Sequence, residues 1–121
     1  MMHVFEELFN KQVENQQVLL SKGSYKGFCT EGTESVPVDD VKLMSYHIQQ
    51  EVSEIGEVLA ADKRWKNFRN GKFDHDEKLD EIADVFIVAM NIAMYSGFNA
   101  EQVAKAIDHK LDVVKERITK V

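Results

Sequence analysis

Apolar residues recur at three- and four-residue steps along four stretches of the chain, which is the spacing of amphipathic helices. Alternating runs of β-branched residues are missing, so the pattern predicts an all-α fold with four main antiparallel helices in one domain over residues 1–121. The stripes predicted to be buried are Phe5, Leu8, Phe9, Val13 and Leu20; Val41, Met44, Ile48, Val52, Ile55 and Leu59; Leu79, Ile82, Ala83, Phe86, Met90 and Ala93; and Val103, Ile107, Leu111, Val114 and Ile118.

Capping residues and glycines predict where these helices begin and end. The first is expected from about His3 to Ser21, before Gly23, and the third is expected to end at about Ser96, before Gly97. The predicted N-caps of the second, third and fourth helices are Asp39 or Asp40, Asp74, and Asn99.

The third helix is apolar nearly all the way round, because Val85, Ile87, Val88 and Met94 add to its stripe. A helix of this kind is buried on most sides, and a domain this small offers little interior. We therefore expect the third helix to form a subunit interface in a homodimer or homotetramer.

Composition narrows the class of protein. The net charge of −6 argues against nonspecific nucleic-acid binding, and no stretch approaches the roughly 20 apolar residues of a membrane span. Cys29 is the only cysteine, and the first residues lack the features of a signal peptide. A soluble, cytoplasmic protein is expected.

Two pairs of carboxylates carry the candidate chemistry. Glu51 with Glu54, and Glu81 with Asp84, are each three residues apart and so share a helix face beside the apolar stripe. Four carboxylates that converge where two helices meet repel one another unless they are protonated or bridged by a cation. The pattern therefore predicts a site for a hard divalent cation.

The segments EVSEIGEVL and DEIADVFIVAMNIAMYSGFNAEQV, which contain these pairs, resemble the MazG-like all-α nucleoside triphosphate pyrophosphohydrolases. The resemblance extends from about His47 to Arg117. It implies hydrolysis of a (deoxy)nucleoside triphosphate to the monophosphate and pyrophosphate, with Mg²⁺ as cofactor, Mn²⁺ as a substitute, and nucleotide-pool sanitation (house-cleaning) as the biological role.

We assign water activation to Glu51 and metal binding to Glu51, Glu54, Glu81 and Asp84. Asn91 lies two turns beyond Asp84 on the same face and is a candidate for substrate binding. The resemblance adds four more substrate-binding candidates, which are Trp65, Lys66, Lys110 and Arg117. Structural roles compete with these assignments: a buried asparagine that bonds to backbone, a hinge loop with Trp65 packed beneath it, and a solvated face of the last helix for the two cations. Val114 stands where the family often has an asparagine.

Neighbouring polar residues allow two interpretations. Glu57 is expected to be solvated or a partner of a ligand, and His47 to lie at the helix surface or the core edge. Gln12, Gln16 and Gln17 are expected to form an exposed polar face, whereas the resemblance suggests contact with a nucleobase. The Ser24–Asp40 segment is either an ordinary loop or a lid.

Two other functions compete with this hypothesis. A non-catalytic helical oligomerisation or interaction module explains the apolar third helix equally well. A dedicated dUTPase belongs to the same enzyme class, but that branch usually has a longer chain with more helices.

Overall fold

The computed structural model describes residues 2–23, 25, 36–62 and 74–120, which form four helices and no strand. These are α1 (Met2–Ser21), α2 (Val41–Ala61), α3 (His75–Met94) and α4 (Ala100–Thr119). Across these residues no helix is both long enough and apolar enough to cross a bilayer. The predicted all-helical class is confirmed.

The predicted N-caps are confirmed at α2, α3 and α4. The Asp40 side chain accepts from the backbone N–H groups of Lys42 and Leu43, and Asp74 does the same for α3. Asn99 and Gln102 exchange side-chain and backbone hydrogen bonds in a full capping box. The third helix ends two residues earlier than predicted, at Met94, and the chain turns at Gly97, whose φ is +88°.

α2 and α3 pack antiparallel along most of their length. Lys78 Nζ contacts Asp62 Oδ2 at 2.8 Å near one end of the pair, and His47 meets Asn91 near the other. Backbone bonds from the Val38 N–H to the Met94 carbonyl and from the Asp40 N–H to the Tyr95 carbonyl, each 2.9 Å, tie the start of α2 to the end of α3. α1 packs against α4 and α3.

The buried core is small and lies at one end of the bundle. Its members are Phe9, Leu43, Met94, Tyr95 and Ala100, which come from all four helices or their ends. Among residues 2–23, 36–62 and 74–120, the opposite end of the bundle therefore has less apolar burial to stabilise it.

The predicted stripe of α2 is wrong for the single chain. Only Met44 of that set is partly buried, and the five others are 45–71% exposed: Val41, Ile48, Val52, Ile55 and Leu59. The side of α2 that is buried or partly buried instead carries Leu43, His47, Glu51, Glu54 and Val58. These lie roughly a third of a turn round the helix from the apolar stripe.

The other stripes are also only partly buried. Exposed members are Leu8 of α1; Leu79, Ala83 and Phe86 of α3; and Ile107, Leu111, Val114 and Ile118 of α4. The apolar pattern identified the helices correctly, but it marks surfaces that the single chain leaves uncovered.

The expected exposed glutamine face of α1 is likewise wrong at Gln16, which is only 3% exposed. Its side-chain oxygen accepts hydrogen bonds from the hydroxyls of Tyr25, at 2.6 Å, and Tyr95, at 2.8 Å. The Tyr95 ring stacks on His47, with centroids 5.3 Å apart and planes within 2°. A polar network therefore fixes α1 against the α2–α3 pair.

Replacing Gln16 by leucine should destabilise the protein, because the two tyrosine hydroxyls lose their shared buried acceptor. We expect a loss of about 1–3 kcal/mol in the free energy of unfolding, measured by urea denaturation. The neighbouring Glu14→Leu change, on the exposed side of α1, is the matched control. Equal effects of the two substitutions would contradict a structural role for the network.

Candidate metal and nucleotide site

Three carboxylates meet where α2 packs on α3. Oxygen atoms of Glu54, Glu57 and Glu81 all lie within 4.8 Å of one another. Opposed ligands of an octahedral Mg²⁺ are about 4.2 Å apart, and those of the larger Ca²⁺ somewhat more. The group is therefore close to the spacing a hard cation requires, and its donors are the oxygens that such a cation prefers.

Two carboxylate oxygens in this region are buried without a hydrogen-bond partner. They are Oε1 of Glu51 and Oε2 of Glu81. A buried polar atom normally has a partner, because leaving it unpaired costs the full desolvation penalty. Glu51 lies one turn before Glu54 on α2, so the two orphaned oxygens belong to the same acidic side of the α2–α3 interface.

Electrostatics oppose ionisation of these groups. Burial raises the pKa of Glu51. The pKa of Glu54 is raised first by burial, then by the carboxyl of Glu57, and further by Asp84 and Glu81. Burial and the same Glu57 carboxyl raise the pKa of Glu81. At neutral pH, ionising these carboxyls costs folding free energy that a bound cation would offset.

Three polar residues cluster at the end of the α2–α3 interface opposite the Asp62–Lys78 ion pair. The Gln12 Nε2 donates to Asn91 Oδ1 at 2.9 Å, and Asn91 Nδ2 lies 3.5 Å from His47 Nδ1. His47 Nε2 is buried with no hydrogen-bond partner. His47 is thus buried, contrary to the surface or core-edge position expected from the sequence, and burial lowers its pKa from 6.5 to about 4.

The structure regroups the four predicted metal ligands. Glu54 and Glu81 belong to the close group, and Asp84 is near enough to raise the pKa of both. Glu51 is outside that group, whereas Glu57 is inside it. Glu57 is also exposed, as expected of a solvated residue, so the group lies at the surface edge of the interface. On a helix Glu57 shares a face with Glu54, three residues away, and this repeated spacing was the signal that could have identified it.

The candidate substrate residues are spread over the fold. Asn91 is buried and bonded to Gln12 and His47. Lys110 and Arg117 are exposed on α4, which packs mainly on α1, and neither forms an ion pair within the described part of the chain. Trp65 and Lys66 lie outside the described residues, as does most of the Ser24–Asp40 segment.

Comparisons of the chain with models of protein families, with curated proteins and with solved structures gave no match. The assignment of chemistry to this site therefore depends on its own geometry and on the motif resemblance.

Replacing Glu54 by glutamine should stabilise the metal-free protein at pH 7, because it removes a carboxylate whose pKa is raised in the folded state. A raised pKa means that stability is complete below the unfolded value of 4.5 and falls as pH rises. We expect the melting temperature to rise by about 2–5 °C. The control is Glu101→Gln, since Lys105 lowers the pKa of Glu101 and the loss of that pair should not stabilise the protein. A lower melting temperature for Glu54→Gln would contradict the repulsion.

The buried His47 should make the protein sensitive to acid. Its lowered pKa means that its contribution is present above the unfolded value of 6.5 and is lost as pH falls towards about 4. The stability advantage of wild type over His47→Gln should therefore shrink by about 2 kcal/mol between pH 7 and pH 5. Urea midpoints measure this, with His109→Gln on the exposed side of α4 as the matched variant. An equal pH dependence for the two substitutions would refute the prediction.

Proposed function

We propose that this protein hydrolyses a (deoxy)nucleoside triphosphate to the monophosphate and pyrophosphate with Mg²⁺ as cofactor. The observation that carries the proposal is the group of Glu54, Glu57 and Glu81 oxygens at the edge of the α2–α3 interface, where Glu54 and Glu81 are half-buried and Glu57 is exposed. Packing that places like charges together at this interface is costly, and a divalent cation is the simplest compensation. The MazG-like spacing of EVSE and EIAD supplies the reaction class.

The donor set fits a hard divalent cation. Glu54, Glu57 and Glu81 would hold it, with Asp84 adjacent, and all four offer carboxylate oxygens. When bound, Mg²⁺ supplies positive charge for the phosphates and lowers the pKa of water at the site.

Glu51 is the proposed general base. Its buried oxygen has no hydrogen-bond partner, and burial raises the pKa of the carboxyl, which makes it a stronger proton acceptor. In the proposed step Glu51 takes a proton from water as the water oxygen bonds to the α-phosphorus. The bond from that phosphorus to the α–β bridging oxygen breaks, and pyrophosphate leaves with the electron pair. The choice of the α-phosphorus follows from the family resemblance.

The remaining residues bind and orient the substrate in this proposal. Lys110 and Arg117 offset the charge of the departing pyrophosphate. Asn91, held by Gln12, orients a polar group of the nucleotide. Trp65 and Lys66 keep the nucleotide-binding role that the resemblance implies. Mn²⁺ replaces Mg²⁺, and removal of noncanonical nucleotides from the cytoplasmic pool is the proposed biological role.

The protein is further proposed to work as a homodimer or homotetramer. In the part of the single chain that the structure describes, sixteen large hydrophobic side chains are exposed, on all four helices and on the turn before α4. Exposed apolar surface of this extent normally marks an interface. The same observation favours the second candidate function, a non-catalytic oligomerisation module, which would need neither metal nor nucleotide.

The reaction class is tested by incubating the protein with a panel of standard and modified nucleoside triphosphates, with Mg²⁺, Mn²⁺, Ca²⁺ or chelator. We expect metal-dependent release of pyrophosphate from one or a few of them. Orthophosphate as the product would contradict attack at the α-phosphorus. No turnover, together with no thermal shift by any metal, would favour the oligomerisation module.

Three substitutions separate the proposed metal ligands from the proposed base. Glu54→Gln and Glu81→Gln should lower turnover by at least about 100-fold and weaken thermal stabilisation by Mg²⁺. Glu51→Gln should lower kcat by about 100-fold or more while it keeps most of that stabilisation. Glu101→Gln on α4 is the control and should keep both properties. Full activity in Glu81→Gln, or loss of the Mg²⁺ shift in Glu51→Gln alone, would overturn these roles.

A further inference from the structure

The C-terminal half of α4 has an apolar stripe that the described residues of its own chain leave exposed. At the start of the helix the stripe is buried, with Ala100 and Ala104 only 6% and 5% exposed. Further along it is open: Ile107, Leu111, Val114 and Ile118 are 45%, 63%, 40% and 68% exposed. These four residues follow one another at steps of four, three and four, the spacing of a seam between two packed helices.

α2 has an exposed stripe with the same spacing. Ile48, Val52, Ile55 and Leu59 also follow at steps of four, three and four, and are 45%, 71%, 55% and 52% exposed. An apolar groove of about 460 Å³ continues this stripe towards α3, lined by Ile55, Val58, Leu59, Ile82 and Val85, with Asp62 and Lys78 at one end. The groove gives the branched side chains of a second helix a place to pack.

The two stripes belong together in an antiparallel arrangement because of the charges at their edges. The steps of four, three and four read the same in both directions, so Ile48 can face Ile118 and Leu59 can face Ile107. Each stripe has two edges, one formed by residues that directly precede a stripe residue and one by residues that directly follow. When two such helices pack antiparallel, the edges of the same kind face each other. Lys110 and Arg117, seven residues apart on one edge of the α4 stripe, then meet the edge of α2 that carries Glu51. In a parallel pair they would meet the opposite edge, at Gln49 and Gly56.

One chain does not bring these groups together. α4 packs mainly on α1, and α2 packs mainly on α3. Lys110 and Arg117 are exposed and have no ion pair among the described residues. A second copy of the chain supplies both a cover for the α2 stripe and positive charge for the acidic site.

We propose that the C-terminal half of α4 from a second copy packs antiparallel on the α2 stripe, and that Lys110 and Arg117 of the partner subunit complete the active site beside Glu51. The role given to the two cations rests on the proposed function, whereas the interface does not. The pairing is reciprocal, as two-fold symmetry requires, so each dimer has two such sites.

Disulfide formation tests the interface without reference to activity. In a Cys29→Ser background, tagged Ile48→Cys protein is mixed with untagged Ile118→Cys protein under mild oxidation. A crosslinked heterodimer is expected, since a disulfide requires Cβ atoms about 3.8 Å apart. The matched mixture of Ile48→Cys with Ile107→Cys should not crosslink, because in the antiparallel pair those positions are about 16 Å apart along the helices.

Three outcomes would overturn the interface. Crosslinking of Ile48→Cys with Ile107→Cys would indicate the parallel arrangement. Efficient crosslinking of Leu111→Cys alone would indicate that α4 pairs with the α4 of its partner. A Cys29→Ser protein that is monomeric by sedimentation at micromolar concentration would show that another molecule covers the stripe. Loss of the dimer in Leu111→Asp, with the dimer retained in His109→Asp on the same helix, would support the interface.

Mixing two inactive variants tests the shared site. Glu51→Gln and the double variant Lys110→Gln, Arg117→Gln should each be inactive alone. In a mixed dimer, one of the two sites combines an intact Glu51 with intact cations of the partner. Random reassociation should therefore restore about one quarter of wild-type activity. No recovery despite formation of mixed dimers would show that the cations act within their own chain. Inactive wild-type protein would instead refute the proposed function and leave the crosslinking result standing.

Discussion

The close packing of carboxylates between α2 and α3 is the constraint on which the rest of the structure depends. Most helical hairpins bury an apolar stripe at their interface, whereas α2 places Glu51, Glu54 and His47 on the side that is buried or partly buried. Like charges there oppose the packing of the two helices. The caps, the Asp62–Lys78 ion pair and the backbone bonds at Val38 and Asp40 hold the hairpin despite this repulsion.

Polar contacts at the core end of the bundle give the hairpin a rigid base. Gln16 bonds to Tyr25 and Tyr95, and His47 stacks on the Tyr95 ring. These residues come from α1, α2, the turn after α3 and the segment that follows α1. The network therefore adds polar contacts between elements that otherwise meet in a small apolar core. Buried hydrogen-bonded networks specify a single arrangement of the elements they connect. The network thereby fixes α1 against the α2–α3 hairpin that carries the carboxylates.

Because acidic residues of α2 face α3, the apolar stripe of α2 lies on the surface of the single chain. The stripes of α2 and α4 both remain open in the single chain, and they have the same spacing. The same helix, α2, therefore carries acidic residues on one side and an exposed apolar stripe on another. In the proposed dimer, α2 would connect the association of two copies with the acidic group on its other side.

The sequence by itself determined the four helices, the N-caps at Asp74 and Asn99, and the carboxylates that share helix faces, because these depend on spacing and on neighbouring residues. For the second helix it left Asp39 and Asp40 as alternatives, and the structure selected Asp40. It did not determine which side of α2 is buried, because an apolar side and an acidic side were both available and only the position of α3 chooses between them. The same choice buried His47 and Gln16, brought Glu57 into the group with Glu54 and Glu81, and left Glu51 one turn away. Helical periodicity fixes which residues lie together on a face, whereas the partner that covers each face is decided by tertiary packing.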